Sequence, residues 1–281
     1  MTPAHGDKTS SYVLGHSGDE LERLNTQAAL IGPFTRRFFQ EAGVSAGMRV
    51  LDVGSGGGDV AILARELVGS NGEVVGADRS DQGIATARAR AAANGWRNVT
   101  FHVGDPSEMT FDRPFDVVLG RYVLMFQPDP AAMLRRLAKH VRPGGVVVFH
   151  EADCNAAHSI PAVASYDRCW EWVIAAMQGA DTSLGAKFPS VFVRAGLPAP
   201  TMRLEALVGG ASESSKCIDL VVGLMATLLP QIERLGVATA AEVDLGTLRD
   251  RIMNETVAAS SLLVGRSEIG AWCRVSQDVT T

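Results

Sequence analysis

The 281-residue sequence predicts an open, mostly parallel α/β sheet with helices on both faces. Three observations carry that reading. Val50 to Val53 reads as a short buried strand. It is followed by Gly54-Ser55-Gly56-Gly57-Gly58 and then by the apolar start of a helix, Asp59-Val60-Ala61-Ile62-Leu63-Ala64. Strand, glycine turn and helix in succession are how such sheets build a nucleotide site. From Arg49 to Glu151, short valine-rich runs alternate with helical ones, the rhythm of βαβ units. Apolar residues make up 46% of the chain and charged residues 20%, which fits one large globular domain or one domain with an inserted cap.

In chain order, Met1 to Ser11 is polar. Ser17-Gly18-Asp19-Glu20 reads as a capping box opening a helix with Leu21, Leu24, Ala28 and Ile31 on one face. Pro33 is expected to start a second helix, with Phe34, Phe38 and Ala42 inward and Gly43 at its end. Five strands follow: one ending at Asp52, then Glu73 to Ala77, Val99 to Val103, Phe115 to Leu119, and Val146 to His150 after a Pro143-Gly144-Gly145 turn. The helices between them are Asp59 to Val68, Asp81 to Asn94 and Pro130 to Val141. After Glu151 the rhythm changes. Helices are expected at Ala162 to Met177 and Phe188 to Ala195, and a strand at Thr201 to Val208. A helical section from Ser214 to Val264, broken at Pro230 and Gly236, then leads to a last strand at Ser267 to Val275.

The turn's chemistry narrows the ligand. The run from Asp52 to Gly58 is Asp-x-Gly-x-Gly-x-Gly, and Asp59 stands where a dinucleotide fingerprint would carry its third glycine. A pyrophosphate at the helix N-terminus would meet two extra carboxylates. A ligand with a cationic end and no phosphate would welcome them. S-adenosylmethionine (SAM), with its amino group, sulfonium, ribose diol and adenine, is such a ligand.

On these residues the chain resembles the class I SAM-dependent methyltransferases, in the small-molecule branch of the ubiquinone and menaquinone biosynthesis type. The resemblance covers Arg49 to Glu151 well and is nearly silent beyond. It implies a Rossmann-like, seven-stranded, mostly parallel sheet with a helical cap. The division expected is residues 1–48 as an N-terminal helical arm, 49–151 as the SAM-binding core, and 152–281 as cap insertions plus the last strands. The activity it implies is methyl transfer to a hydrophobic small molecule, O-methylation ahead of C- or N-, with S-adenosylhomocysteine (SAH) as product. Two rivals stay open: a SAM-binding enzyme of a non-methylating step, such as cyclisation or decarboxylation, and a SAM-binding partner without activity.

Cofactor contacts are expected at Asp52, Gly54, Ser55 and Gly56, and at Asp78, whose carboxylate ends strand two about 20 residues past the turn, where an acid accepts from a ribose diol. Arg79 could lie against the adenine. Gly104 and Asp105, ending strand three, are the positions from which the family reaches the adenine amino group; Pro106 removes a backbone donor there. Arg121, ending strand four, is expected to contact the methionine carboxylate unless it forms a surface ion pair. The strand-four end lacks the Asn/Asp-Pro-Pro-Tyr/Phe run of nucleic-acid amino-methyltransferases.

Candidate catalytic groups are His150 and Glu151 at the strand-five end, of which strand alternation lets only one face the site, and Tyr12 and His16 in the arm. A histidine base has a suitable unperturbed pKa near ~6.5. Cys154 stands where His-Glu-x-x-His would need its second histidine, so no metal is expected. His102 and His140 are read as a strand residue and a helix-end cation. Tyr166, Trp170 and Met225 are expected to contact the acceptor. The net charge of −5 and the lack of a basic tract argue against nucleic acid. No apolar run looks long enough for a membrane span, a cytoplasmic location is the default, and a homodimer is left open. The four cysteines, with no Cys-x-x-Cys pair, are read as reduced and mostly packed in the core.

Overall fold

The computed structural model describes residues 18–276, with side chains from residue 29 onward. Tyr12, His16 and Ser17 of the expected arm lie outside these residues.

The strands are β1 (Arg49–Val53), β2 (Glu73–Asp78), β3 (Val99–Val103), β4 (Phe115–Arg121), β5 (Val141–Asp153), β6 (His158–Ile160), β7 (Thr201–Gly210) and β8 (Leu262–Arg274). The helices are α1 (Gly18–Glu41), α2 (Asp59–Val68), α3 (Asp81–Ala93), α4 (Pro130–Ala138), α5 (Ala164–Ala176), α6 (Leu184–Arg194), α7 (Ser215–Arg234), α8 (Ala240–Val243) and α9 (Leu245–Ala258). The sheet order is β3-β2-β1-β4-β5-β8, with β1 to β5 mutually parallel. β8 runs antiparallel between β5 on one edge and β7 on the other. The sheet has eight strands where seven were expected, because the short β6 continues the line of β5 along β8, pairing His158 with Val264.

The inner strands β1, β2 and β4 and the stretch of β5 from residue 145 to 152 are buried on both faces, as their continuous apolar runs require. One core cluster joins the sheet to α1, α2 and α3 and, further out, to α5, α7 and α9. The other lies under α4 and α6. Strand alternation divides the side chains between them. Asp52, Arg121 and His150 belong to the α1 face; Glu151 points to the α6 face.

Several expected boundaries differ: α4 ends at Ala138 rather than Val141, and β5 runs Val141–Asp153, taking in the Pro143-Gly144-Gly145 stretch expected as a turn, because Val141 pairs with Phe115 of β4. Pro33 does not start a new helix but lies inside α1, and Pro230 lies inside α7. A proline in a helix interior costs about 3 kcal/mol. Burial of Ile31, Phe34 and Phe38 on one helix, and of Leu224, Met225, Leu228 and Ile232 on the other, offsets that cost. The last strand begins at Leu262 rather than Ser267, so Arg266 lies inside it, while Glu268 pairs with Ala152 of β5 and Glu205 of β7. The stretch Ala211–Arg234 is long and apolar enough, by length and composition, to cross a membrane, unlike the shorter runs weighed from sequence. Its apolar side packs against α5 and α9 within the domain. All four cysteines are free and buried.

Candidate active site

The glycine turn leaves β1 at the C-terminal edge of the sheet, where open α/β folds place their ligands. It is pinned from below and from the side. Gly54 and Ser55 donate their N–H groups to Ala77 O at 2.8 and 3.1 Å. Arg90 Nη1 donates to Gly57 O and to Asp59 Oδ1, both at 2.7 Å. Gly54 has φ +67°, and a Cβ there would stand 2.5 Å from Val123 Cγ2, so only glycine fits. Gly56, at φ +46°, is different: an added Cβ meets nothing within 4 Å, because the turn opens onto free space.

The acids around that space are arranged for a ligand. Asp78 accepts the Gly56 N–H through Oδ2 and the Ser80 N–H through Oδ1, each at 2.8 Å. Its carboxylate is thereby fixed with lone pairs to spare. Asp52 is fully buried, and neither carboxylate oxygen makes a hydrogen bond of good geometry, the Ala61 N–H at the start of α2 being a weak donor toward it; the buried Ser55 Oγ has no partner either. Burial pushes the Asp52 carboxyl well above its usual range, opposed by the Arg121 charge. Buried polar atoms left unpaired are costly, and a cationic, hydrogen-bonding ligand end beside them would satisfy them. Asp105 lies beyond Asp78 on β3. Against the upward push of burial, Arg79 and the Ser107 N–H hold its carboxyl below the usual range. Arg79 is thus engaged in an ion pair with Asp105. Gly104 has φ +145° and donates its N–H to Asp78 O at 2.8 Å, tying the β2 and β3 ends together. Asp52 in β1, Asp78 ending β2 and Asp105 just past β3 form a row across three neighbouring strands.

Beyond β1 the row continues into a buried polar cluster on β4, β5 and β8. His150 and Glu268 are essentially inaccessible, and Arg266 is 5% exposed. His150 Nε2 lies 2.8 Å from Glu268 Oε2, and Tyr122 Oη donates to the same oxygen at 2.5 Å. Arg266 donates to Glu268 Oε1 at 2.8 Å and to Tyr122 Oη at 2.9 Å. Burial alone would raise the Glu268 carboxyl, but Arg266, His150 and Tyr122 together hold it down at about 2. Burial lowers the His150 pKa, so the ring is neutral; with Nε2–H given to Glu268, Nδ1 is the acceptor for Thr35 Oγ1 at 3.1 Å.

His150 therefore is not the open base expected from its position: both ring nitrogens are occupied and the ring is sealed under Phe38. Glu151, on the other face, accepts the Val123 and Leu124 N–H groups through Oε1 at 2.9 and 2.7 Å. It thereby holds the segment after β4, while Oε2 stays unpartnered. Burial pushes its pKa up to about 8, against the pull of those amides. The folded state thus favours protonated Glu151, and that contribution to stability is lost as pH rises from about 4.5 toward 8. Glu151→Gln is expected to flatten the decline in unfolding free energy between pH 5 and 8, read by urea titration at several pH values; an unchanged slope would contradict a protonated Glu151.

Tyr166, Trp170 and Met225 are 0%, 2% and 0% exposed, packed between α5 and α7, with Tyr166 Oη donating to Val264 O. They are core residues rather than the walls of an open acceptor site. His140 is not a helix-end cation: burial lowers its pKa, and Nε2 lies 3.0 Å from Pro106 O. Sequence reasoning passed over Thr35, Tyr122, Arg266 and Glu268. Tyr122 occupies a left-handed conformation, φ +56°, right after β4, which costs an aromatic residue about 1–2 kcal/mol. The alternation of Arg266 and Glu268 inside an apolar run was the legible signal.

A parallel sheet with one antiparallel strand beside β5, an acid-lined glycine turn and a fixed acid at the end of β2 are features shared with the class I methyltransferase fold. The chain belongs to the methyltransferase-domain family, whose model matches residues 44–196. Over 143 residues it is 34% identical to an aklanonic acid methyltransferase of Streptomyces, covering 50% of this chain and 64% of that one. Over 117 residues it is 36% identical to a demethylmenaquinone methyltransferase of Staphylococcus aureus, covering 41% of this chain and 48% of that one. The chain thus spans about half to two thirds of the length of these relatives. Among solved structures, the YcgJ protein of Bacillus subtilis shares the fold, with a TM-score of 0.52 and 18% identity over 88% of this chain and 98% of that one.

Proposed function

We propose that this protein transfers the methyl group of SAM to an apolar small molecule, at oxygen ahead of carbon or nitrogen. One observation supports the donor most directly: Asp52 and Ser55 are buried beside the open face of Gly56 with three polar atoms that lack a hydrogen bond of good geometry. The donor would lie with its ribose at Asp78, its adenine toward Gly104 and Asp105, and its amino group near Asp52. When bound, SAM supplies an electrophilic methyl on a sulfonium, a leaving group that needs no activation. The chain's own task is to hold donor and acceptor in line and to exclude water. The strand ends supply rigid fixing points, and Glu151 holds the Val123–Leu124 segment that closes over Gly54.

An apolar acceptor agrees with the two named relatives, which act on aklanonic acid and demethylmenaquinone. Residues 1–48 would cover the site and 152–281 supply the cap, with α1 contributing Thr35 at the β5 end. The test is product release: incubation with methyl-labelled SAM and fractionated metabolite extract should yield SAH and a labelled apolar product. SAM binding with no SAH formed on any fraction would favour a non-methylating role.

A further inference from the structure

Arg121 makes no ion-pair contact among the described residues, and its charge acts without contact on the buried Asp52. We propose that it receives an ionised acidic oxygen group of the acceptor, a carboxylate or an acidic enol or phenol, so that the substrate is an apolar acid.

Position comes first, and here the inference rests on the donor reading above. Asp105, Asp78 and Asp52 lay the donor across β3, β2 and β1, so the methyl end faces β4 and, beyond it, β5. Arg121 ends β4. Its Nη1 donates to Thr35 Oγ1 at 3.2 Å, and Thr35 in turn touches His150 of β5. The guanidinium is thus tied through Thr35 to the β5 side of the row.

Its free valence comes next. One of the five N–H donors of a guanidinium is used by Thr35. No carboxylate among the described residues lies in ion-pair contact with it. Glu268, the nearest ionised acid on this face, already serves Arg266, Tyr122 and His150. The Tyr122 ring, 5.7 Å from the guanidinium carbon, adds an aromatic wall.

The cluster behind Arg121 also has a direction. His150 Nε2–H points to Glu268, the Thr35 hydroxyl to His150 Nδ1, and Arg121 Nη1–H to Thr35 Oγ1. The one Thr35 hydroxyl proton has a second acceptor in Ile31 O at 3.3 Å; directed at His150 Nδ1, the nearer at 3.1 Å, it completes a run of bonds in one direction, each polarising the next. Thr35, His150 and Glu268 are positioning residues: they fix the guanidinium without touching the acceptor.

Last, apart from Asp52, which the donor's amino group would occupy, the acids and histidine near Arg121 are closed to a proton from a neutral acceptor hydroxyl. His150 is sealed and doubly bonded, Glu151 points to the opposite face, and Glu268 is saturated. An oxygen that is ionised before it binds needs no base, and a guanidinium is the group that would select it.

The test uses the full chain saturated with SAH and two matched pairs of probes at neutral pH: naphthoic acid against naphthamide, and hydroxynaphthoquinone against naphthoquinone. Titration calorimetry should show at least one acid binding about tenfold or more tighter than its neutral partner. The pair that responds identifies carboxylate or enol. In Arg121→Gln that preference should vanish while SAH affinity stays within about twofold of wild type; Arg121→Lys should keep part of it. Thr35→Val should weaken acid binding several-fold, again with SAH affinity unchanged. The inference is overturned if no acid outbinds its partner in the wild type, including the case in which none binds. It is equally overturned if Arg121→Gln lowers SAH affinity as Asp78→Ala does, for the arginine would then hold the donor. A wild type that does not bind SAH at all would sink the donor reading instead, so the two failures are told apart.

Discussion

Glu268→Ala is expected to lower the free energy of unfolding by about 3–5 kcal/mol, the cost of stranding a buried charge. The carboxylate is 1% exposed and accepts from Arg266, His150 and Tyr122 at once. Without it the Arg266 guanidinium, itself 5% exposed, has no counter-ion, and the hydroxyl of Tyr122 and Nε2 of His150 lose their acceptor. Urea unfolding at pH 7 measures the loss, and a change below about 1 kcal/mol would mean that water reaches the cluster and screens the pair. The double replacement Arg266→Met, Glu268→Leu should recover part of it, because removing both charges also removes their desolvation cost. The same cluster sets an acid limit. With the Glu268 pKa held at about 2 against an ordinary 4.5, its stabilisation is complete above pH 4.5 and is lost as pH falls toward 2.

Gly56→Val should weaken SAH binding on the order of a hundredfold or more, with little loss of fold stability. The backbone at φ +46° disfavours a β-branched residue, and the Cβ would enter the open space in which the ligand is expected. Should the turn itself rearrange, Asp78→Ala gives the same information with less strain. It removes the carboxylate that fixes Gly56 and Ser80 and should weaken binding by about 1–3 kcal/mol. SAH affinity unchanged in both variants would remove the glycine turn from the site.

Much of this was legible in the chain. The Asp52–Asp59 run, the spacing to Asp78 and the alternation up to Glu151 carry the parallel half of the sheet, because local propensity and tertiary order agree there. The helices at Pro33 and Pro230 were misread because burial of Phe38 and Leu228 overrides the local breaking signal of proline. Tyr166, Trp170 and Met225 show the limit of reading function from an apolar stripe: its periodicity says that a face is covered, not whether a neighbour or a ligand covers it. The His150–Glu268 pair was illegible for another reason. Its members are 118 positions apart and meet only because β8 folds back beside β5. A hydrogen bond of such separation is set by topology, and only the inward-facing charges on an apolar strand hint at it.

The central claim is that acids around an open glycine turn select a cationic, phosphate-free nucleoside. Calorimetric titration of the purified full chain with SAM, SAH, NAD and FAD tests it most directly. The geometry predicts saturable binding of SAM and SAH, both weakened by Asp78→Ala, and no binding of either dinucleotide. Uptake of NAD or FAD by a protein that ignores SAM would contradict it.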